Sequence, residues 1–125
     1  MSAIEQPARF RCVVSIAGVT DPLALGAREA RYIGGRAAQA FIGFGKDLRD
    51  GSPIKRVDEL ATPVLLAHGK RDLNVPFTQS QSFARSLARA KKSVEFIDAI
   101  PVTNLGKVDK KALRARFYEV AETAR

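Results

Sequence analysis

An α/β fold, with parallel strands flanked by helices, is predicted by two features of the sequence: short, almost continuously apolar runs closed by glycine turns, and amphipathic segments between them. Val13 to Ala17 is one such run, closed by Gly18, and Pro63 to Ala67 is another, closed by His68-Gly69. Strands of a parallel sheet are covered on both faces, so they carry apolar side chains at successive positions instead of alternating. Ser93 to Ile97 reads as a third strand, interrupted by Glu95.

The connecting segments follow from the same reading. Asp21-Pro22 is suited to opening a helix, Gly34-Gly35 breaks the chain, and Arg36 to Phe44 is short and apolar enough for a second helix. Ser52-Pro53 marks a turn. Pro76 and Thr78 form a helix start, after which Phe83, Leu87 and Ala90 fall at i, i+4 and i+7 while Arg85 and Arg89 point elsewhere. The last segment repeats this pattern, with Leu113, Phe117 and Val120 on one face and Arg114, Glu119 and Glu122 off it, which predicts a C-terminal amphipathic helix from Lys110 to Ala121. Strand, helix, strand with right-handed crossovers completes the α/β pattern.

The bulk properties bound the function. At 125 residues the chain has the length of one domain, and 46% hydrophobic with 27% charged residues is the balance of a folded globular protein. Lys and Arg number 21 against 13 Asp and Glu, a net charge of +8 that raises nucleic acid or another polyanion as a partner. The basic residues are dispersed from Arg9 to Arg125, however, with no interleaved aromatics for stacking bases. Only weak, non-specific polyanion binding is expected. One cysteine, Cys12, and one histidine, His68, exclude an internal disulfide and a Cys/His zinc cluster, so no metal site and no cofactor is expected. Cys12, in the apolar run Cys12-Val13-Val14-Ser15-Ile16-Ala17, reads as a buried thiol. No apolar stretch is long enough to span a bilayer and the first residues carry no secretory apolar core, so no membrane association and a cytoplasmic location are expected.

The most specific run is Pro63-Val64-Leu65-Leu66-Ala67-His68-Gly69-Lys70-Arg71-Asp72, followed by Val75-Pro76 and Gln79-Ser80. On residue grounds an aspartate just past a strand forms a turn or caps a helix. The run also resembles the segment of prolyl-oligopeptidase-type serine peptidases that carries the catalytic aspartate, and Ser15-Ile16-Ala17-Gly18 and Ser52-Pro53-Ile54 resemble the preceding strand and turn of that family. The resemblance spans about 10–97 and implies the later part of an α/β-hydrolase catalytic domain, a partial parallel sheet flanked by helices. It implies that Asp72 holds the acid position of a Ser, His, Asp triad, where a carboxylate orients an imidazole and stabilises its cation. It also implies that His68 belongs to a structural His-Gly turn.

The triad's other members are not found in the sequence. The fold's order is serine in G-x-S-x-G, then acid, then histidine. None of Ser2, Ser15, Ser52, Ser80, Ser82, Ser86 or Ser93 has that glycine framing, and no histidine follows Asp72. The chain is therefore expected to be inactive alone. An interaction module, a chimeric fragment and one part of a split hydrolase are the alternatives.

Beyond the third strand, 98–116 is similar to the terminal motif of adenylate-forming acyl-CoA synthetases, through Pro101, Thr103, Gly106, Lys107, Lys110, Leu113 and Arg114. That resemblance puts Lys107 at the lysine position that neutralises carboxylate and phosphate during adenylation. No Walker-type phosphate loop accompanies it, and a non-functional, exposed lysine is expected. The organisation is thus read as 1–97, partial hydrolase domain, and 98–125, ligase-like loop and helix. A further expectation is that the strand at Val13 to Ala17 lacks part of the cover it has in a complete hydrolase domain. It would leave Val13, Val14 and Ile16 exposed, and the chain would self-associate through that sheet edge.

Overall fold

In a computed structural model, residues 2–42, 46–97 and 99–115 are described. Three four-residue strands, β1 (Val13–Ile16), β2 (Val64–Ala67) and β3 (Val94–Ile97), form a parallel sheet in the order β1-β2-β3. The register aligns Val13 with Val64 and Val64 with Val94. The helices are α1 (Ser2–Glu5), α2 (Pro22–Glu29), α3 (Gly35–Ile42), α4 (Lys46–Asp50) and α5 (Thr78–Arg89), of which α5 packs against β2 and β3. Every strand points the same way, so the segments after β1, β2 and β3 emerge at one edge of the sheet.

The central strand is the best-covered element. Val64, Leu65, Leu66 and Ala67 are all buried, and each large one contributes about 1.5–3 kcal/mol over exposure. Alternation sends Val64 and Leu66 to one face, where they pack with Phe83 and Leu87 of α5 and with Leu60. Leu65 and Ala67 go to the other face with Ile97, against Ile100 and Leu113. In α5 the buried Phe83 and Leu87 and the outward Arg85 and Arg89 follow the expected stripe, and Ala90 is half-buried at its end.

Several expectations are corrected. Val14 and Ile16 of β1 are exposed as expected, but Val13 is not: it packs against the α5-side core. The strand ends at Ile16 because Ala17 turns to a φ of +49°. Cys12 is half-buried and precedes the strand. Glu95 does not interrupt β3. Asp21 does cap α2, accepting from the Ala24 N–H at 3.0 Å, whereas α5 begins at Thr78 with no side-chain cap at Phe77.

Ala3 and Ile4 of α1 are buried in the α5-side core, for which the sequence of the first residues carries no expectation. Gly35 is required where α2 gives way to α3, since a Cβ there would lie 1.8 Å from the Glu29 carbonyl oxygen. The C-terminal amphipathic helix is described as helical from 110 to 115, with Leu113 packed on the sheet. Phe117, Glu119, Val120 and Glu122 lie outside the described residues, as does Asp98.

Candidate functional site

The apolar run of β2 forces the strand to the centre of the sheet, and the chain leaves it at His68 and Gly69 with a tight turn. The Asp72 N–H donates to the Gly69 carbonyl at 3.2 Å. Asp72 then folds its side chain back over the loop, where Oδ1 accepts the N–H groups of Asn74 and Val75, each at 2.9 Å. This is the local turn an aspartate makes with the backbone two and three residues on. The bonds involve one oxygen only. Oδ2 lies 3.8 Å from His68 Nε2, beyond hydrogen-bonding range, and the side chain keeps 24% of its surface exposed.

The Val75 N–H, seconded by that of Asn74, holds the Asp72 carboxyl below the usual range, while partial burial opposes them. A carboxylate fixed by one oxygen, anionic at neutral pH and partly open at the carboxyl edge of a parallel sheet can accept an imidazole N–H through the other.

His68 is completely buried and has both ring nitrogens engaged, with Nδ1 2.7 Å from Ser80 Oγ and Nε2 2.9 Å from the Val75 carbonyl oxygen. Phe77 meets it edge-on with ring centroids 5.9 Å apart and stacks on Phe96 at 5.5 Å. No substrate reaches a ring enclosed in this way, which agrees with a structural His-Gly turn.

Gln79, in the same run as Asp72, has a structural role. Buried at the start of α5, its Oε1 accepts the N–H groups of Thr20 and Asp21 at 3.0 and 2.7 Å, and its Nε2 donates to the Asp21 carbonyl at 3.0 Å. The Thr20 hydroxyl donates to the Gln79 carbonyl at 2.9 Å. The loop after β1 is thereby tied to the helix that follows the Asp72 loop. Sequence offered no signal for this beyond a glutamine in the first turn of a helix.

Lys107 stands elsewhere. Val102 and Val108 form an antiparallel bridge, Gly106 takes a φ of +72°, and the Thr103 N–H donates to the Lys107 carbonyl at 2.7 Å, so Lys107 sits on an exposed hairpin. Asp109 caps the following helix, its Oδ1 accepting from Lys111 and Ala112 at 3.0 Å. Among the described residues no contact joins Lys107 to Asp72, and no group of three His, Cys, Asp or Glu is placed to hold a metal. No described helix is long and apolar enough to cross a membrane.

A model of the prolyl oligopeptidase family matches residues 1–100, extending the resemblance read from residue 10 back over α1. The chain is similar to the structure of a puromycin-hydrolyzing peptidase of Mycobacterium tuberculosis, with a TM-score of 0.62 and 26% identity over 77% of this chain and 15% of that one. Of curated proteins from the same organism, the esterase LipC is 44% identical over 45 residues, which is 36% of this chain and 11% of the esterase. The medium/long-chain fatty-acid CoA ligase FadD8 is 33% identical over 82 residues, 59% of this chain and 14% of the ligase. The chain thus spans between about a tenth and a sixth of the lengths of these relatives.

Proposed function

Because this chain belongs to the prolyl oligopeptidase family, we propose that it is the acid-bearing part of a serine-peptidase domain, with Asp72 as the triad acid. The observation that carries this reading is the division of labour within the Asp72 carboxylate. Oδ1 is committed to the loop backbone at 2.9 Å and Oδ2 is not, an arrangement suited to orienting an imidazole. The nucleophile and the base are not among its residues: no serine stands in G-x-S-x-G, and His68, the one histidine, is enclosed in the core.

Alone, then, the chain does not hydrolyse esters or peptides. Covalent catalysis needs an activated nucleophile within hydrogen-bonding reach of its base. Incubation with a fluorophosphonate probe and a p-nitrophenyl ester tests this. No serine should be labelled, and labelling, or turnover that Asp72→Ala abolishes, would overturn it.

A split hydrolase, in which another chain supplies serine and histidine, is favoured by one observation, the open apolar face of β1 carrying Val14 and Ile16. The division into 1–97 and 98–125, with 98–116 read as ligase-like, is kept as part of this reading; the family match itself runs to residue 100. Lys107, exposed on its hairpin, is assigned no adenylation role.

A further inference from the structure

Ser80, His68 and Asp72 have the residue types of a hydrolytic triad, and Ser80 Oγ lies 2.7 Å from His68 Nδ1. Ser80 and His68 are completely buried, however, so no substrate can reach them. We propose instead that Ser80 and His68 are positioning residues for Asp72, joined to it through Val75 by a chain of hydrogen bonds that anchors the acid loop to α5.

The direction of the chain follows from elementary donor and acceptor chemistry. The Val75 carbonyl can only accept, so His68 Nε2, at 2.9 Å, must carry a proton. In the neutral ring Nδ1 is then a bare acceptor, and the Ser80 hydroxyl donates to it. On the other side, the Val75 N–H donates to Asp72 Oδ1. Val75 is thereby held at its carbonyl by the imidazole and at its N–H by the carboxylate. A flip of the ring would set carbon atoms against both partners and strand a hydroxyl and a carbonyl, and the Phe77 edge closes off the remaining side.

Asp72 is thus referenced to a helix of the core and not only to its own turn. A triad acid needs that stiffness, since a carboxylate that rotates with its loop cannot select one imidazole orientation. This purpose rests on the reading of Asp72 as the acid, but the hydrogen-bond chain does not.

The test uses the full chain labelled with 15N and 13C, and reads the imidazole nitrogen shifts, the Asn74 and Val75 amides, and the Asp72 carboxyl titration. In the wild type the neutral ring should carry its proton on Nε2. Ser80→Ala and His68→Leu should shift the Asn74 and Val75 amides and raise the Asp72 midpoint toward an ordinary carboxylate. His68→Gln, whose amide can still donate to the Val75 carbonyl, should move both less than His68→Leu. Ser82→Ala, on the exposed side of the same helix, should move neither. If His68→Leu does not fold, Ser80→Ala and the wild-type tautomer carry the test. A neutral ring protonated on Nδ1, or a folded Ser80→Ala indistinguishable from Ser82→Ala, would overturn the proposal. These readings do not depend on whether Asp72 ever meets a catalytic imidazole, so either reading can fail without the other.

Discussion

Val14 and Leu65 are register partners on one face of the sheet, yet Leu65 is 2% exposed and Val14 is 52% exposed. The difference lies in what covers them. Ile100 and Leu113 pack over Leu65, Ala67 and Ile97, while Val14 and Ile16, the latter 53% exposed, have no comparable cover. Among the described residues β1 pairs with β2 alone, so its outer edge also presents free backbone groups.

We expect self-association through this edge, and we expect it to be weak. Burying the open halves of Val14 and Ile16 in two copies returns about 1 kcal/mol per side chain, roughly 4 in all, with about 1 more for each new ladder hydrogen bond. Association costs at least about 4 kcal/mol, so a dimer in the high-micromolar range or weaker results. A net charge of +8 on each copy opposes it, and added salt should strengthen it by screening. Light scattering over a concentration series should show a mass that rises with concentration in the wild type and stays monomeric in Val14→Lys. A monomer at every concentration and salt would show that β1 is protected in another way.

The end of α5 offers a stability test. The Lys92 N–H donates to the Leu87 carbonyl and the Lys91 N–H to that of Ala88, a Schellman closure that places Lys91 at a φ of +55°. A left-handed conformation costs a side-chain-bearing residue roughly 1–2 kcal/mol, and glycine avoids it. Lys91→Gly should therefore stabilise the fold by about 1 kcal/mol in urea unfolding. A loss of stability would show that the lysine side chain contributes more than its backbone strain costs.

The sheet was legible because its three strands are written as compact apolar runs, and α5 because Phe83 and Leu87 sit a turn apart between arginines. The cap at Asp21 and the turn at Gly34-Gly35 were legible from local chemistry alone. Asp72 could be placed only by resemblance, since turn formation and triad chemistry ask for the same residue after a strand, and the structure has its Oδ1 making the turn. Illegible were the contacts that cross the chain. Ala3 and Ile4 reach a core built by Leu60 to Leu87, and Gln79 recognises the backbone of Thr20 and Asp21. The open face of β1, with Val14 and Ile16, was legible from the missing cover, whereas the packing of Val13 against the α5-side core was not, because an apolar run does not record which of its faces a neighbouring element covers.

The Asp72 carboxyl gives a pH dependence with a definite sign. Its folded value lies below the ordinary one, with the Val75 N–H as the chief cause, so the folded state binds its proton less readily than the unfolded chain does. Its contribution to stability is present above the unfolded value of about 3.9 and is lost as pH falls through the folded value. Asp72→Asn should thus be less stable than the wild type at neutral pH, and the difference should shrink below about pH 4. Thermal unfolding between neutral and strongly acidic pH measures it. A difference that grows as pH falls would reverse the assignment.

The central claim, that Asp72 can serve as a triad acid, is tested most directly by supplying the groups this chain lacks. The segment of the Mycobacterium tuberculosis puromycin-hydrolyzing peptidase equivalent to residues 10–97 would be replaced by those residues, leaving that enzyme's own serine and histidine in place. The folded chimera should hydrolyse puromycin, and Asp72→Asn within it should lower kcat roughly 10⁴-fold through loss of the imidazole's orienting partner. A folded chimera that is inactive, or one whose activity is unchanged by Asp72→Asn, would contradict the account.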